Sequence, residues 1–219
     1  MSSWGAVMNL DQIATEMTSY MRLMAETDLC HLRGGNLAVR TGDDEFVVTR
    51  TKTAKENLTR DNLMVLAISS DEPEPEASVS TSLHRLIFRK TDATAVIHAH
   101  PYNATLLSFF TEQIRPIDEN GVLYLGQEVE VVAPPGFKEW SAVDEKISDA
   151  LTRAPAAVLR WHGCYAIGDS FGRAFQKVQA LDWASRFILD TERLKGGLGD
   201  PTYPAYVDPT QFAPEVNRS

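Results

Sequence analysis

Short apolar runs alternate with amphipathic stretches along most of the chain. The clearest run is ATAVI at residues 93–97, which predicts a buried central strand. Residues 10–28 carry apolar side chains at helical spacing and predict an amphipathic helix. Because strands and helices follow one another in this way, the sequence predicts an α/β fold around one short-stranded sheet.

The remaining elements follow the same pattern. Ser141 and Asp144 resemble a capping box that opens a helix to about residue 152. Further strands are predicted in a hairpin with its tip at 42–44, and at 64–68, 156–159 and 165–167; further helices are predicted after residue 80, at 104–110 and at 173–194.

The bulk properties narrow the class of protein. With 219 residues, the chain is expected to form one domain over residues 1–195, followed by a proline- and glycine-rich arm or tail at 196–219. A net charge of −9 argues against nucleic acid as a partner. There is no apolar run of the roughly 18 residues that a membrane span needs. Two cysteines and no recognisable signal sequence predict a cytoplasmic protein without a disulfide framework.

Three histidines stand at the ends of apolar runs. His98 and His100 follow the predicted central strand, and residues two apart in a strand point to the same side. His162 ends a second apolar run and precedes a glycine. Three histidine ligands with an open fourth position are typical of a catalytic zinc site. By contrast, His84 is expected to be packed in a helix and His31 to face solvent.

Five blocks occur in order over residues 10–194: GNLAVR at 35–40, VTRT at 48–51, ASVSTSLH at 77–84, AVIHAHP at 95–101 and HG at 162–163. Together they resemble the class II aldolase/adducin family, and Asp118 in IRPIDENGVLYLG is similar to its archaeal fuculose-phosphate-aldolase-like members. The resemblance implies a single-domain α/β/α fold with a mostly antiparallel or mixed sheet. It also implies a homotetramer with active sites at subunit contacts.

The resemblance further implies a small-molecule substrate and a divalent ion on His98, His100 and His162. Zinc is the expected ion, with Mn²⁺, Co²⁺ and Fe²⁺ as alternatives. A phosphate pocket is implied at Gly35, Asn36, Thr49, Thr51 and Ser78, where hydroxyls and a glycine turn would also suit an anion. Lys52 replaces the glycine that the family usually has there, so it either obstructs the pocket or supplies a cation.

One position departs from the family pattern. The family places a glutamate, its metal ligand and acid/base, at the position that Ser80 occupies here. A serine hydroxyl is a poor proton acceptor near neutral pH, and general acid–base help contributes typically ~10²–10⁴-fold in rate. Candidates to replace the glutamate are Ser80 itself, Glu76, Asp118, Glu119 and Tyr124.

Three hypotheses about function therefore remain open. The leading one is a metal-dependent carbon–carbon lyase of the aldolase type, acting on a small hydroxylated carbonyl compound such as a sugar phosphate. A metal-dependent decarboxylase of a hydroxylated acid is the second, because loss of carbon dioxide needs no base. The third is a variant or non-catalytic member that lacks the acid/base group.

Overall fold

The computed structural model describes residues 9–31, 34–136 and 138–198. Its α-helices are α1 (Leu10–Glu26), α2 (Thr81–Lys90), α3 (Tyr102–Leu107), α4 (Glu119–Leu125), α5 (Asp144–Ala150) and α6 (Phe171–Leu198). Its strands are β1 (Asn36–Gly42), β2 (Glu45–Thr49), β3 (Leu63–Ala67), β4 (Ala95–Ala99), β5 (Gln113–Ile114), β6 (Val129–Val132), β7 (Ala156–Leu159) and β8 (Gly163–Gly168).

The strands form one sheet in the order β3-β2-β1-β4-β8-β7-β6-β5. Neighbouring strands are antiparallel except β6 and β7, which are parallel. The predicted α/β class with a mixed central sheet is therefore confirmed. Strand β4, which the apolar run at 93–97 predicted, lies in the middle between β1 and β8.

Helices cover both faces of the sheet. On β1, Leu37 and Val39 belong to one apolar cluster, which also contains buried residues of α1, α3 and α6. The intervening Ala38 belongs to a second cluster, which contains buried residues of α2 and α5. Successive strand residues point to opposite faces, so this alternation separates the two cores. The expected α/β/α layering follows from it.

The first and last helices shift by a few residues from their predicted ends, and two further predictions differ more in kind. The helix expected at 104–110 is observed as Tyr102–Leu107. The capping box predicted from Ser141 and Asp144 does not form: residues 140–143 are a 3-10 turn, and α5 begins without a side-chain cap. Asp144 instead accepts a hydrogen bond from Ser82 Oγ at 2.6 Å. The Asp144 carboxylate therefore bonds to Ser82 on α2 and does not take part in a cap of its own helix.

The C-terminal helix α6 continues to Leu198, and the rest of the arm predicted at 196–219 lies outside the described residues. Within the described part of the chain, no helix has both the length and the apolar character needed to cross a membrane.

Candidate metal and anion site

Cross-strand register places the first histidine in a row of polar side chains. His98 on β4 lies opposite Asn36 on β1 and opposite Tyr165 on β8. Directly opposed residues of an antiparallel pair point to the same face. The Tyr165 ring stacks on the His98 ring, with centroids 4.3 Å apart. This row lies at the strand ends, on the face that α2 covers.

The other two histidines lie in the loops that border the row. His100 follows β4, and its N–H donates to the Leu29 carbonyl at 2.8 Å. His162 closes the three-residue turn between β7 and β8, in which Trp161 has a φ of 63°. A left-handed residue is typical of such short hairpin loops. The turn therefore returns the chain to β8 with His162 beside the strand end.

The ring nitrogens of the three histidines converge. His98 Nε2 lies 3.2 Å from His162 Nε2 and 3.1 Å from His100 Nε2. Tetrahedral ligands about 2.0–2.1 Å from zinc lie about 3.3–3.4 Å from one another. His98 Nδ1 donates to the Cys164 carbonyl at 2.9 Å, which leaves its Nε2 lone pair free for an ion. The three imidazole nitrogens therefore fit a divalent metal. Among the described residues, these histidines form the cluster that could hold a metal ion.

The histidines are held in their neutral, ligating form. Burial lowers the pKa of His98 well below its usual value and that of His100 to about 4; burial also lowers the pKa of His162. Neutral imidazole is the form that binds metal. Near pH 7, protons therefore do not compete with an ion for these nitrogens.

Glycines permit the close approach that the site requires. A Cβ on Gly163 would overlap a backbone oxygen of β4 and lie 2.7 Å from His100 Cδ2. A Cβ on Gly35, which has a φ of +64°, would lie 2.5 Å from the His98 carbonyl oxygen. Both positions need glycine because any side chain would displace a candidate ligand.

A cavity of about 580 Å³ contains these groups. The structure brings together in its lining all three predicted metal ligands, every predicted anion-binding residue and Ser80: Gly35, Asn36, Thr49, Thr51, Lys52, Ser78, Ser80, His98, His100 and His162.

Two backbone amides among the predicted anion-binding residues are already hydrogen-bonded within the chain. The Thr51 amide donates to the Glu76 carbonyl and the Ser78 amide donates to the Thr49 carbonyl. The buried Thr49 hydroxyl, by contrast, has no hydrogen-bond partner within the described structure. Lys52 has a φ of 59° at the position where the resemblance implies glycine, and this residue lines the cavity.

Ser80 belongs to a buried hydrogen-bonded cluster. Its Oγ accepts from Asn36 Nδ2 at 3.0 Å and lies 3.0 Å from the Tyr165 hydroxyl. Burial raises the pKa of Tyr165, so the phenol stays protonated. We call Asn36, Ser80 and Tyr165 the uncharged cluster. It lies where the family's glutamate would be expected.

Sequence reasoning missed several groups that line the cavity. Tyr165 belongs to an apolar strand, so its sequence context did not indicate a site residue. Its pairing with His98 across the two strands places it in the cavity. Trp140 lies against His162 with ring centroids 4.6 Å apart. Asp144, which burial gives a raised pKa, and Lys55, which donates to the Gly35 carbonyl, also line the cavity.

The remaining candidate catalytic residues do not join this cavity within one chain. Asp118 caps α4 by accepting from the Gly121 amide at 2.8 Å, and Glu119 and Tyr124 lie on the same helix. Glu76 forms a 2.5 Å ion pair with Arg50 and is mostly exposed. Their catalytic roles stay predictions.

The second cavity adjoining the histidines has a volume of about 830 Å³. His100 and His162 contribute to its lining, together with Tyr102, Trp183 and Arg186. The histidine cluster thus borders two cavities. The first contains the predicted anion-binding residues, and the second also contains two carboxylates, Asp28 and Asp182.

Comparison with known proteins agrees with the geometry. Residues 15–189 match the family described as "Class II Aldolase and Adducin N-terminal domain". A "Probable bifunctional methylthioribose-1-phosphate isomerase/methylthioribulose-1-phosphate dehydratase" of Nocardia farcinica is 28% identical over 180 residues, which cover 73% of this chain and 32% of that protein. The chain therefore spans about a third of that relative's length.

Two further relatives match over nearly their whole length. Methylthioribulose-1-phosphate dehydratase of Pectobacterium carotovorum is 25% identical over 202 residues, which cover 86% of this chain and 98% of that enzyme. The crystal structure of L-fuculose-1-phosphate aldolase from Thermus thermophilus superposes with a TM-score of 0.76 at 30% identity, covering 87% of this chain and 98% of that one. The first of these two relatives is named as a dehydratase and the second as an aldolase. The chain belongs to the class II aldolase and adducin N-terminal domain family.

Proposed function

We propose that the protein is a divalent-metal-dependent carbon–carbon lyase of the aldolase type. Its substrate is a small hydroxylated carbonyl compound that carries a phosphate. One observation carries this proposal: the convergent histidines and the predicted anion-binding residues line the same cavity. The relatives named as lyases of sugar phosphates support it.

Each part of the site has a distinct task in this proposal. Zinc on the three histidines would act as a Lewis acid toward the substrate carbonyl. The hydroxyls of Thr49, Thr51 and Ser78, with the ammonium of Lys52, bind the phosphate and fix the orientation of the substrate. Trp140 shields His162 from water on one side. The second cavity gives the substrate further space beside His100 and His162.

The proton acceptor for the cleaved hydroxyl has two possible sources. Within one chain, Asp144 is the carboxylate that lines the cavity among the described residues, and its raised pKa suits proton exchange. Asp118, Glu119 and Tyr124 on α4 can act only if a neighbouring subunit brings them to the cavity. We propose that the protein is a cytoplasmic homotetramer. Exposed aromatic side chains on α3 and α6, such as Tyr102 and Trp183, support the assembly of subunits.

A panel of ketose 1-phosphates tests the proposal. Zinc-loaded protein is expected to release a triose phosphate from at least one of them, measured by a coupled dehydrogenase assay. His162→Ala is the matched control, because it removes a ligand at an exposed turn and leaves the sheet intact. If the loaded protein cleaves no member of the panel, the aldolase proposal is wrong.

A second candidate is a metal-dependent decarboxylase of a hydroxylated acid. It is favoured because Ser80 contributes a neutral hydroxyl where an aldol cleavage needs a base, whereas decarboxylation generates its carbanion without one. Carbon dioxide release from a panel of hydroxy acids, with no cleavage of ketose phosphates, would select this function. A chain that binds zinc and catalyses neither reaction would be the non-catalytic variant.

A further inference from the structure

Ser80 immediately precedes helix α2, yet its side chain does not cap that helix. A serine at this position usually accepts a hydrogen bond from an amide of the first turn. Here Oγ belongs to the uncharged cluster instead, with Asn36 Nδ2 at 3.0 Å and the Tyr165 hydroxyl at 3.0 Å. The cluster borders His98 on the sheet, because Asn36 and Tyr165 lie opposite that histidine on the neighbouring strands.

The direction of the hydrogen bond between Tyr165 and Ser80 follows from the chemistry of the two groups. A phenol is more acidic than an aliphatic hydroxyl and is therefore the better donor. Tyr165 is buried, and in the described part of the chain its hydroxyl has Ser80 Oγ as its hydrogen-bond partner. A buried hydroxyl that donates to no acceptor loses the free energy of that bond. Tyr165 therefore donates and Ser80 Oγ accepts.

Both acceptor positions of Ser80 Oγ are then occupied. A serine hydroxyl has two lone pairs and one hydrogen, and Asn36 Nδ2 and Tyr165 use the two lone pairs. Ser80 is therefore unsuited to take a proton from a ligand. Asn36 Oδ1 does not accept the Ser80 hydrogen, since this oxygen has no partner within the described structure. The Ser80 hydrogen thus stays available to a ligand in the cavity that Ser80 and the three histidines line.

A donor at this place suits the substrate oxygen on which negative charge develops. When the carbon–carbon bond of a hydroxylated ketone breaks, its electron pair forms a carbon–carbon double bond and the carbonyl oxygen becomes negative. The cleaved hydroxyl loses its proton to the separate acceptor described above. A hydrogen-bond donor that is already in place stabilises such an oxygen without carrying a charge itself.

We propose that Ser80 donates a hydrogen bond to the carbonyl oxygen of the substrate, and that Asn36 and Tyr165 are positioning residues that fix the direction of its hydrogen. A glutamate carboxylate at position 80, which the family resemblance implies, would accept hydrogen bonds there, so the serine reverses the polarity. The inference rests on the proposed function, in which the carbonyl oxygen lies beside the histidines. Ser80 keeps its proton throughout, so the reaction still needs a separate proton acceptor.

The carbonyl stretching frequency of a bound ketone measures this contact. The probe is dihydroxyacetone phosphate with ¹³C at the carbonyl carbon, because aldol cleavage of a ketose 1-phosphate releases this compound. A hydrogen bond to the oxygen weakens the carbonyl bond and lowers its stretching frequency. In infrared difference spectra of the zinc-loaded full chain, we expect the bound probe to absorb at a lower frequency than it does in water.

Ser80→Ala and Ser80→Thr are the matched variants, since only threonine keeps a hydroxyl. The alanine variant is expected to raise the frequency and to weaken binding of the probe about 2–10-fold, whereas the threonine variant keeps the wild-type frequency. Thr49→Val is the control, which should weaken binding through the phosphate and leave the frequency unchanged. Tyr165→Phe keeps the Ser80 hydroxyl, so its frequency should stay below that of the alanine variant.

An unchanged frequency in Ser80→Ala would overturn the inference while the proposed function stands. So would loss of the shift in Tyr165→Phe alone, which would identify the phenol as the donor. If the variants at position 80 do not fold, a crystal structure of the zinc-loaded wild type with the probe serves instead. Ser80 Oγ should then lie about 2.5–3.0 Å from the carbonyl oxygen, and a separation beyond hydrogen-bond reach overturns the inference.

Failure of the proposed function gives a different result. If zinc does not lower the frequency of the probe in the wild type, the proposed metal site is wrong and the inference fails with it. A probe that does not bind at all contradicts the inference together with the proposed phosphate pocket.

Discussion

A drop in pH from 7 to 5 should destabilise the protein through a histidine outside the metal site. His84 on α2 is fully buried, and neither ring nitrogen has a hydrogen-bond partner in the described structure. Burial lowers its pKa from 6.5 to about 3. The unfolded chain therefore binds a proton at this residue between pH 6.5 and 3 while the folded chain does not. The contribution of neutral His84 to the free energy of unfolding is therefore fully present above about pH 6.5. It is lost progressively as the pH falls below that value.

The size of the effect follows from these two pKa values. Between pH 7 and pH 5, the unfolded state gains about 2 kcal/mol from protonating His84, and the folded state gains almost nothing. Other titrating groups add to the total change, so a difference between two proteins is needed. His84→Leu removes the titration and replaces the ring with an apolar side chain of similar size.

Urea unfolding of both proteins at the two pH values, with equal metal loading, isolates the contribution. We expect the wild type to lose about 2 kcal/mol more than His84→Leu over this pH change. If both lose the same free energy of unfolding, His84 is protonated in the folded state or finds a partner there. The assignment of the buried ring as neutral would then be refuted.

Three further outcomes are expected. His162→Ala should weaken zinc binding, measured by competition with a chelator. The loss should exceed the roughly 10–100-fold that is typical of removing a residue that hydrogen-bonds to a ligand. Unchanged affinity would exclude this histidine as a ligand. Gly163→Ala should cost about 1–3 kcal/mol of stability and weaken zinc binding, because its Cβ would lie 2.7 Å from His100 Cδ2. Gly42→Ala, where the nearest atom would be 3.4 Å away, is the control and should be near neutral in urea unfolding. Thr49→Val should leave stability unchanged, since the buried hydroxyl has no partner, yet weaken glycerol 3-phosphate binding about tenfold by calorimetry. Equal affinity in that variant would place the phosphate elsewhere.

The sequence predicted correctly those structural features that depend on residues close together in the chain. The apolar run before His98 predicted the central strand. The H-x-H spacing predicted that His98 and His100 lie on one side, and their Nε2 atoms are 3.1 Å apart, although His100 lies in the loop after β4. The same reasoning failed at Ser141 and Asp144, which match a capping box in sequence. There Ser82, from another helix, bonds to the carboxylate instead.

The sequence by itself determined the alternation of strands and helices, the three candidate ligands and the replacement of a glutamate by Ser80. Only the tertiary structure decided what surrounds that serine. Asn36, His98 and Tyr165 come from three strands, and the pairing of strands that are distant in sequence places them in one row. Because hydrogen bonding and burial there depend on contacts between distant segments, the uncharged surroundings of the metal site follow from the assembled sheet.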